Sequence, residues 1–188
     1  MVCIGGLAME ARFKAMDIAN FYIKLAKEIE DDSFDNLKIN KMLYFAQAWA
    51  LVKLGYPLFS DDIQAWDYGP VIPDVYRAFK CCGSMPIDSP LDDFDENELS
   101  TEELELLLDV YRNYGQYTGL ALKNMTHIMG SPWNQVYEKD MNKVIPNDLI
   151  QAFFKDKSLD SFDIDSLNIP VITEVPASWD SPEDSIYD

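Results

Sequence analysis

The side chains able to do chemistry in this 188-residue chain are few and widely spaced. His127 is the only histidine, so a mechanism with one imidazole as base and a second as acid cannot be assembled. Two readings of it stand open. It could serve as a base beside carboxylates in a ribonuclease acting on structured RNA. It could instead be a hydrogen-bonding residue near a helix C-terminus, where positive charge is favoured by the helix dipole. The three cysteines are Cys3, Cys81 and Cys82. Adjacent cysteines lack the geometry of an ordinary disulfide, and no Cys-x-x-Cys or Cys/His grouping suits zinc. Free thiols fit a reducing cytoplasm, which is the expected location. The sequence shows no glycine-rich phosphate loop, no Gly-x-Ser-x-Gly elbow and no His-Glu-x-x-His helix, and no cofactor or metal is expected. Carboxylates alone leave a folded-together metal site open without pointing to one.

Charge narrows the partners. Thirty-three acids against 15 bases give a net charge of −18. Such a surface repels nucleic-acid phosphates and anionic membranes, so direct binding to either is not expected. A basic partner is, such as a nucleic-acid-binding enzyme with a positively charged groove. Lys38 and Lys41 lie one helical turn apart. They could pair with internal acids, meet an anionic group of a partner, or simply be solvated. No leader peptide is read at the start, and no run of 18 apolar residues spans a membrane.

Helical elements must position these groups. Apolar residues at helical spacing predict a helix over 10–30 (Met16, Ala19, Ile23, Ala26) and a stronger one over 37–54 (Ile39, Met42, Leu43, Ala46, Trp49, Ala50), closed by Gly55 and Pro57. The latter reads as the central buried helix. Ile63 to Tyr68 alternates like a short extended segment, and Gly69-Pro70 breaks it. Pro73 opens a third helix ending near Cys82-Gly83. A loop over 84–98 follows. From Asp92 to Glu105 there are eight acids and no base. Ser100 or Thr101 caps the next helix, through Tyr114, and Thr118 caps another running to Gly130. Ser131-Pro132 opens a short helix through Trp133 and Tyr137, and Pro146 a last one through Phe154. Residues 156–188 hold nine acids and one base, with three prolines and interspersed apolar residues including Trp179. They read as an extended arm that docks on the body or a partner.

Three stretches carry a resemblance. Leu37-Lys38-Ile39-Asn40-Lys41-Met42-Leu43-Tyr44-Phe45-Ala46-Gln47-Ala48-Trp49 resembles a helix of the SocA-like antitoxin (Panacea) family, which includes phage-associated proteins of the GepA type. Ile63-Gln64-Ala65-Trp66-Asp67-Tyr68-Gly69-Pro70-Val71-Ile72-Pro73 is similar to that family's Ile-Glu-Ala-Trp-x-Tyr-Gly-Pro element. Thr126-His127 with Ser131-Pro132-Trp133 resembles its Thr-His…Ser-Pro-Trp element. Asn40 and Ala48 depart from the pattern at positions where Leu or Gln, and Gly, are usual. The resemblance implies an antitoxin from prophages or toxin–antitoxin loci that binds and neutralises a protein toxin, and in one type an adaptor that presents the toxin to a protease. The alternative, carried by charge, is an inhibitor of the anti-CRISPR kind that mimics nucleic acid in a guide–effector channel. The fold expected is a single compact, mainly α, multi-helix domain over 10–155, with the acidic C-terminal arm over 156–188. Residues expected to meet a partner are Lys38, Lys41, Trp66, Tyr68, Gly69, Pro70, His127, Trp133 and, in the arm, Trp179. The Trp66–Pro70 turn could be partner surface or a turn that fixes the fold around a buried Trp66.

Overall fold

A computed structural model describes residues 11–31 and 34–159. Cys3, the arm beyond Leu159 and its Trp179 lie outside the described residues. The protein is mainly α. The helices are α1 (Ala15–Glu28), α2 (Asn36–Lys53), α3 (Pro73–Ala78), α4 (Thr101–Tyr114), α5 (Gly119–Thr126), α6 (Pro132–Val136) and α7 (Asn147–Phe154). A hairpin of β1 (Gln64–Trp66) and β2 (Gly69–Val71) separates α2 from α3, paired Gln64 to Val71 and Trp66 to Gly69. Residues 143–145 add a third extended segment beside β1, where Lys143 O accepts from Ala65 N (2.8 Å) and Ile145 N donates to Ile63 O (2.7 Å).

α2 is the axis. It packs against α1, α3, α4, α5, α7 and β2, and every residue from Asn36 to Leu51 is buried. Its apolar stripe explains only half of this. Aromatic packing holds the C-terminal half, with Phe45 stacked on Tyr114 (4.1 Å between centroids) and Trp49 edge-on to Phe154 (5.4 Å). The polar positions are buried as well, because each one binds the backbone of a neighbouring segment. Asn36 Nδ2 donates to Tyr76 O (3.0 Å), and Asn40 Oδ1 accepts from Ile72 N (2.9 Å). Gln47 Oε1 accepts from Leu58 N (2.9 Å) and Phe59 N (3.2 Å), while its Nε2 donates to Phe59 O (3.1 Å). Buried loop backbone must be paired somewhere, and here side chains of a helix supply what a sheet normally would. The helix starts where Asp35 accepts from Lys38 N (2.7 Å).

The shorter elements are seated on this axis. α1 begins at Ala15, five residues after the sequence-based boundary, because Ala15 N is bonded by the distant Asp61 carboxylate (2.9 Å) and Lys14 N by Asp17 (2.8 Å). α4 opens on a capping box in which Ser100 Oγ accepts from Glu103 N and Glu103 Oε2 from Ser100 N. Glu103 is fully buried and is also paired with Arg12 (2.8 Å). α5 enters against α2 so closely that a Cβ on Gly119 would stand 2.8 Å from Lys38 N. The reading of that helix to Gly130 is corrected, since it stops at Thr126 and His127 caps it. Pro146 precedes α7 as its N-cap rather than opening it from inside. The 84–98 loop is tethered to the body by Ile87 N to Phe34 O (2.8 Å) and Leu91 N to Asn20 Oδ1 (3.0 Å). Among the described residues no helix is long and apolar enough to cross a membrane.

Candidate partner-binding site

Seven of the nine residues singled out from the sequence meet at one node, where α2, the hairpin and the α5–α6 corner touch. Lys41 reaches from α2 with its side chain fully buried, and its ammonium donates to Pro70 O (2.8 Å). Gly69, at φ +98°, lies directly above it. A Cβ there would be 2.9 Å from Lys41 Cε and 2.8 Å from Thr126 Oγ1. Trp66 is buried against Leu37, Val71 and Tyr76, edge-on to the Tyr76 ring at 4.9 Å. Its backbone carbonyl accepts from Trp133 Nε1 (2.8 Å), which ties the hairpin to α6. Trp133 in turn lies between His127 (3.6 Å between centroids) and Tyr137 (4.5 Å, stacked). The turn Asp67-Tyr68 caps this stack, with Asp67 Oδ1 accepting from Tyr137 OH (3.0 Å). Trp66, Gly69 and Pro70 thus face the interior, while exposed Asp67 and half-buried Tyr68 form the tip. The turn is a fold device underneath and a surface on top.

Lys38 is not part of this node. It lies one turn earlier, with its side chain fully buried, donating to Gly115 O (2.6 Å) and Asp31 Oδ2 (3.2 Å) and standing 4.5 Å over the Phe34 ring. The reading of Lys38 and Lys41 as solvated lysines is therefore corrected. Hairpin and α4–α5 backbone come down onto the side of α2 that periodicity assigns to solvent. Desolvation lowers both lysines from the usual range; for Lys38 the nearby Asp31 opposes it. Lys41 falls to about 7, helped by the Lys123 charge and opposed by Asp35.

His127 keeps the hydrogen-bonding role at a helix end, with a change in its charge. Its Nδ1 faces Lys123 O at 2.8 Å, the shorter contact, which assigns the proton to Nδ1 in the neutral ring. Its Nε2 faces Asp67 O at 3.3 Å. Burial first, then the charges of Lys123 and Lys41, lower it to about 4 despite the two carbonyls. The imidazole is therefore neutral near pH 7, with Nδ1–H directed at Lys123 O and the unprotonated Nε2 beside Asp67 O. The sign of the pH effect follows. Between about 6.5 and about 4 the unfolded chain takes up a proton that the folded one refuses, so stability drops as pH falls through that window. His127→Gln is expected to remove about 2–3 kcal/mol of that acid-side loss relative to the parent, read as the difference between urea titrations at pH 7 and pH 4.5. Parallel pH profiles for parent and variant would show that the ring is charged in the fold.

Sequence reasoning missed several members of the site. Lys123 precedes His127 by one turn, and its ammonium stands 5.8 Å from the Tyr68 ring centroid. Thr126 Oγ1 donates to Lys123 O (2.7 Å), and Thr126 O accepts from Ser131 Oγ (2.6 Å). Spacing of four between Lys123 and His127 was a visible signal; the role of Asp67 was not, since an exposed acid in an acidic chain looks ordinary. The outer face of the node carries Tyr68 and Tyr137; Met129, in the α5–α6 connection, is 94% exposed. Among the described residues no three His, Cys, Asp or Glu side chains are grouped to hold a metal ion.

Comparison with known proteins places most of this node, from Lys41 to Trp133, inside a matched region. Residues 39–134, just over half of the chain, match the family model described as antitoxin SocA-like, Panacea domain. Antitoxin SocA of Caulobacter vibrioides (strain NA1000 / CB15N) is 30% identical over 138 residues, covering 65% of this chain and 69% of that protein. No solved structure matches.

Proposed function

Because the chain belongs to the SocA-like, Panacea-domain antitoxin family, we propose that it is an antitoxin that binds a protein toxin through the outer face of the hairpin–α6 node. The observation that carries the reading is the placement of Tyr68 and Tyr137 at the exposed tip, on a foundation locked by Lys41, Thr126 and Trp133. Tyrosine supplies large contact area at low entropic cost, and a rigid base limits what must be ordered on binding. Lys41, Trp66, Gly69, Pro70, His127 and Trp133 act in this reading by holding the tip in place. Acidity supports a basic toxin. Delivery of that toxin to a protease is the finer version of the same reading, with the acidic arm and Trp179 as the segment that engages a second protein.

The test is recovery of the partner. The tagged full chain is used to capture proteins from its host, and each small protein recovered is expressed under an inducible promoter. One of them is expected to arrest growth, and co-expression of the chain is expected to relieve the arrest. A Tyr68→Ala/Tyr137→Ala double variant, folded by circular dichroism, is expected to bind at least about thirtyfold more weakly, as loss of two central aromatics costs about 2 kcal/mol or more. A shortened toxin half-life on co-expression would add the adaptor role. Capture of a large nucleic-acid enzyme instead, released by moderate salt, would replace the antitoxin reading with acidic mimicry.

A further inference from the structure

A groove of about 390 Å3 opens between α1 and the segment 86–88, on a different part of the molecule. Ala26, Phe34 and Ile87, all buried, form an apolar floor, and Glu30, Asp31 and Asp88 form the rim. Ile29 and Met85, next in sequence to rim and wall residues, are 53% and 67% exposed. The rim is fixed rather than loose. Glu30 sits at φ +58° with its N–H on Lys27 O (3.2 Å), and Asp31 N donates to Ala26 O (2.8 Å).

The charges there do not balance. Asp31 is engaged by Lys38 and by Tyr111 OH (2.8 Å). Lys27, the one base lining the groove, donates to the backbone carbonyl of Asp88, not to a carboxylate. Among the described residues no cation pairs with the carboxylates of Glu30 or Asp88. The remaining residues, 1–10, 32–33 and 160–188, contain no Lys, Arg or His. These residues therefore supply no basic side chain to neutralise the rim.

We propose that this groove receives an arginine side chain presented by a partner protein. The methylene stem lies on Ala26, Phe34 and Ile87, and the guanidinium bridges the carboxylates of Glu30 and Asp88. A planar fork with five donors suits two separated acceptors, and its stem prefers an apolar floor to water. The groove does not require the partner to be a toxin, so it stands apart from the reading above.

The experiment is an NMR titration of the full chain with acetyl-Leu-Arg-Leu amide, and with the same peptide carrying citrulline, which keeps the shape and removes the charge. The arginine peptide is expected to shift the amides of Ala26, Glu30 and Ile87 together and to saturate. The citrulline peptide, and the arginine peptide with a Glu30→Gln/Asp88→Asn variant, are expected to bind about tenfold more weakly or worse. Both substitutions are at exposed positions, and an unchanged spectrum elsewhere confirms that the fold is intact. Equal affinity for citrulline, equal affinity of the variant, or unsaturating shifts spread over the acidic stretch 92–105 would each overturn the proposal.

Discussion

Gln47→Leu lowers the free energy of unfolding by about 3–6 kcal/mol, close to the whole stability of a marginal domain. The side chain binds Leu58 N, Phe59 N and Phe59 O, on a loop whose side chains are fully buried. Leucine has similar volume and leaves no hole, so the cost comes from three backbone groups stranded away from water, each at about 1–3 kcal/mol. Loss of the weak contact to Asn147 Oδ1 (3.4 Å) adds little. Urea titration of parent and variant measures it, as a shift in midpoint without a change in slope. A change below about 1 kcal/mol would mean that the Leu58–Phe59 backbone finds water or a new partner at small cost.

Gly69→Ala is expected to lower the thermal midpoint by roughly 5–15 °C. Two costs combine. An L side chain at φ +98° is strained by about 1–2 kcal/mol. The new methyl also meets Thr126 Oγ1 at 2.8 Å and Lys41 Cε at 2.9 Å. Thr126 is locked onto Lys123 O, and Lys41 is locked onto Pro70 O, so neither moves without releasing a buried polar group. The hairpin must lift, which carries Tyr68 with it and weakens partner binding as well as folding. Calorimetry reads the first effect. A midpoint within about 2 °C of the parent would show that the node is soft, and would remove the rigid base on which the proposed surface depends.

The fold was legible where one face of an element is apolar and the other is wet. α4 shows this, with Leu107 and Tyr114 inside and Glu102 and Glu105 outside. The existence and length of α2 were legible from its stripe, but not the burial of Lys38, Asn40, Lys41 and Gln47. Periodicity reports apolar spacing; it cannot report that loop backbone closes over the polar side and is bonded there. The pairing of residues 143–145 with β1 was hidden for a different reason. Three residues, 78 positions from Ala65, show no alternation of their own. At the node the residue types were visible in the motifs, while their convergence depends on contacts such as Trp133 to Trp66 that span 67 positions.

The inward-facing polar side chains of α2 also bear on how such a protein can diverge. A fold specified by a helix that grips its own loops from within keeps its instructions out of reach of solvent. Exposed positions at the hairpin tip, the α6 end and the α1 groove are then free to drift, or to be rewritten by design, without erasing the architecture. Change at Asn36, Asn40 or Gln47 has no such freedom, because each is matched to the backbone of a particular loop and so fixes the length and path of that loop.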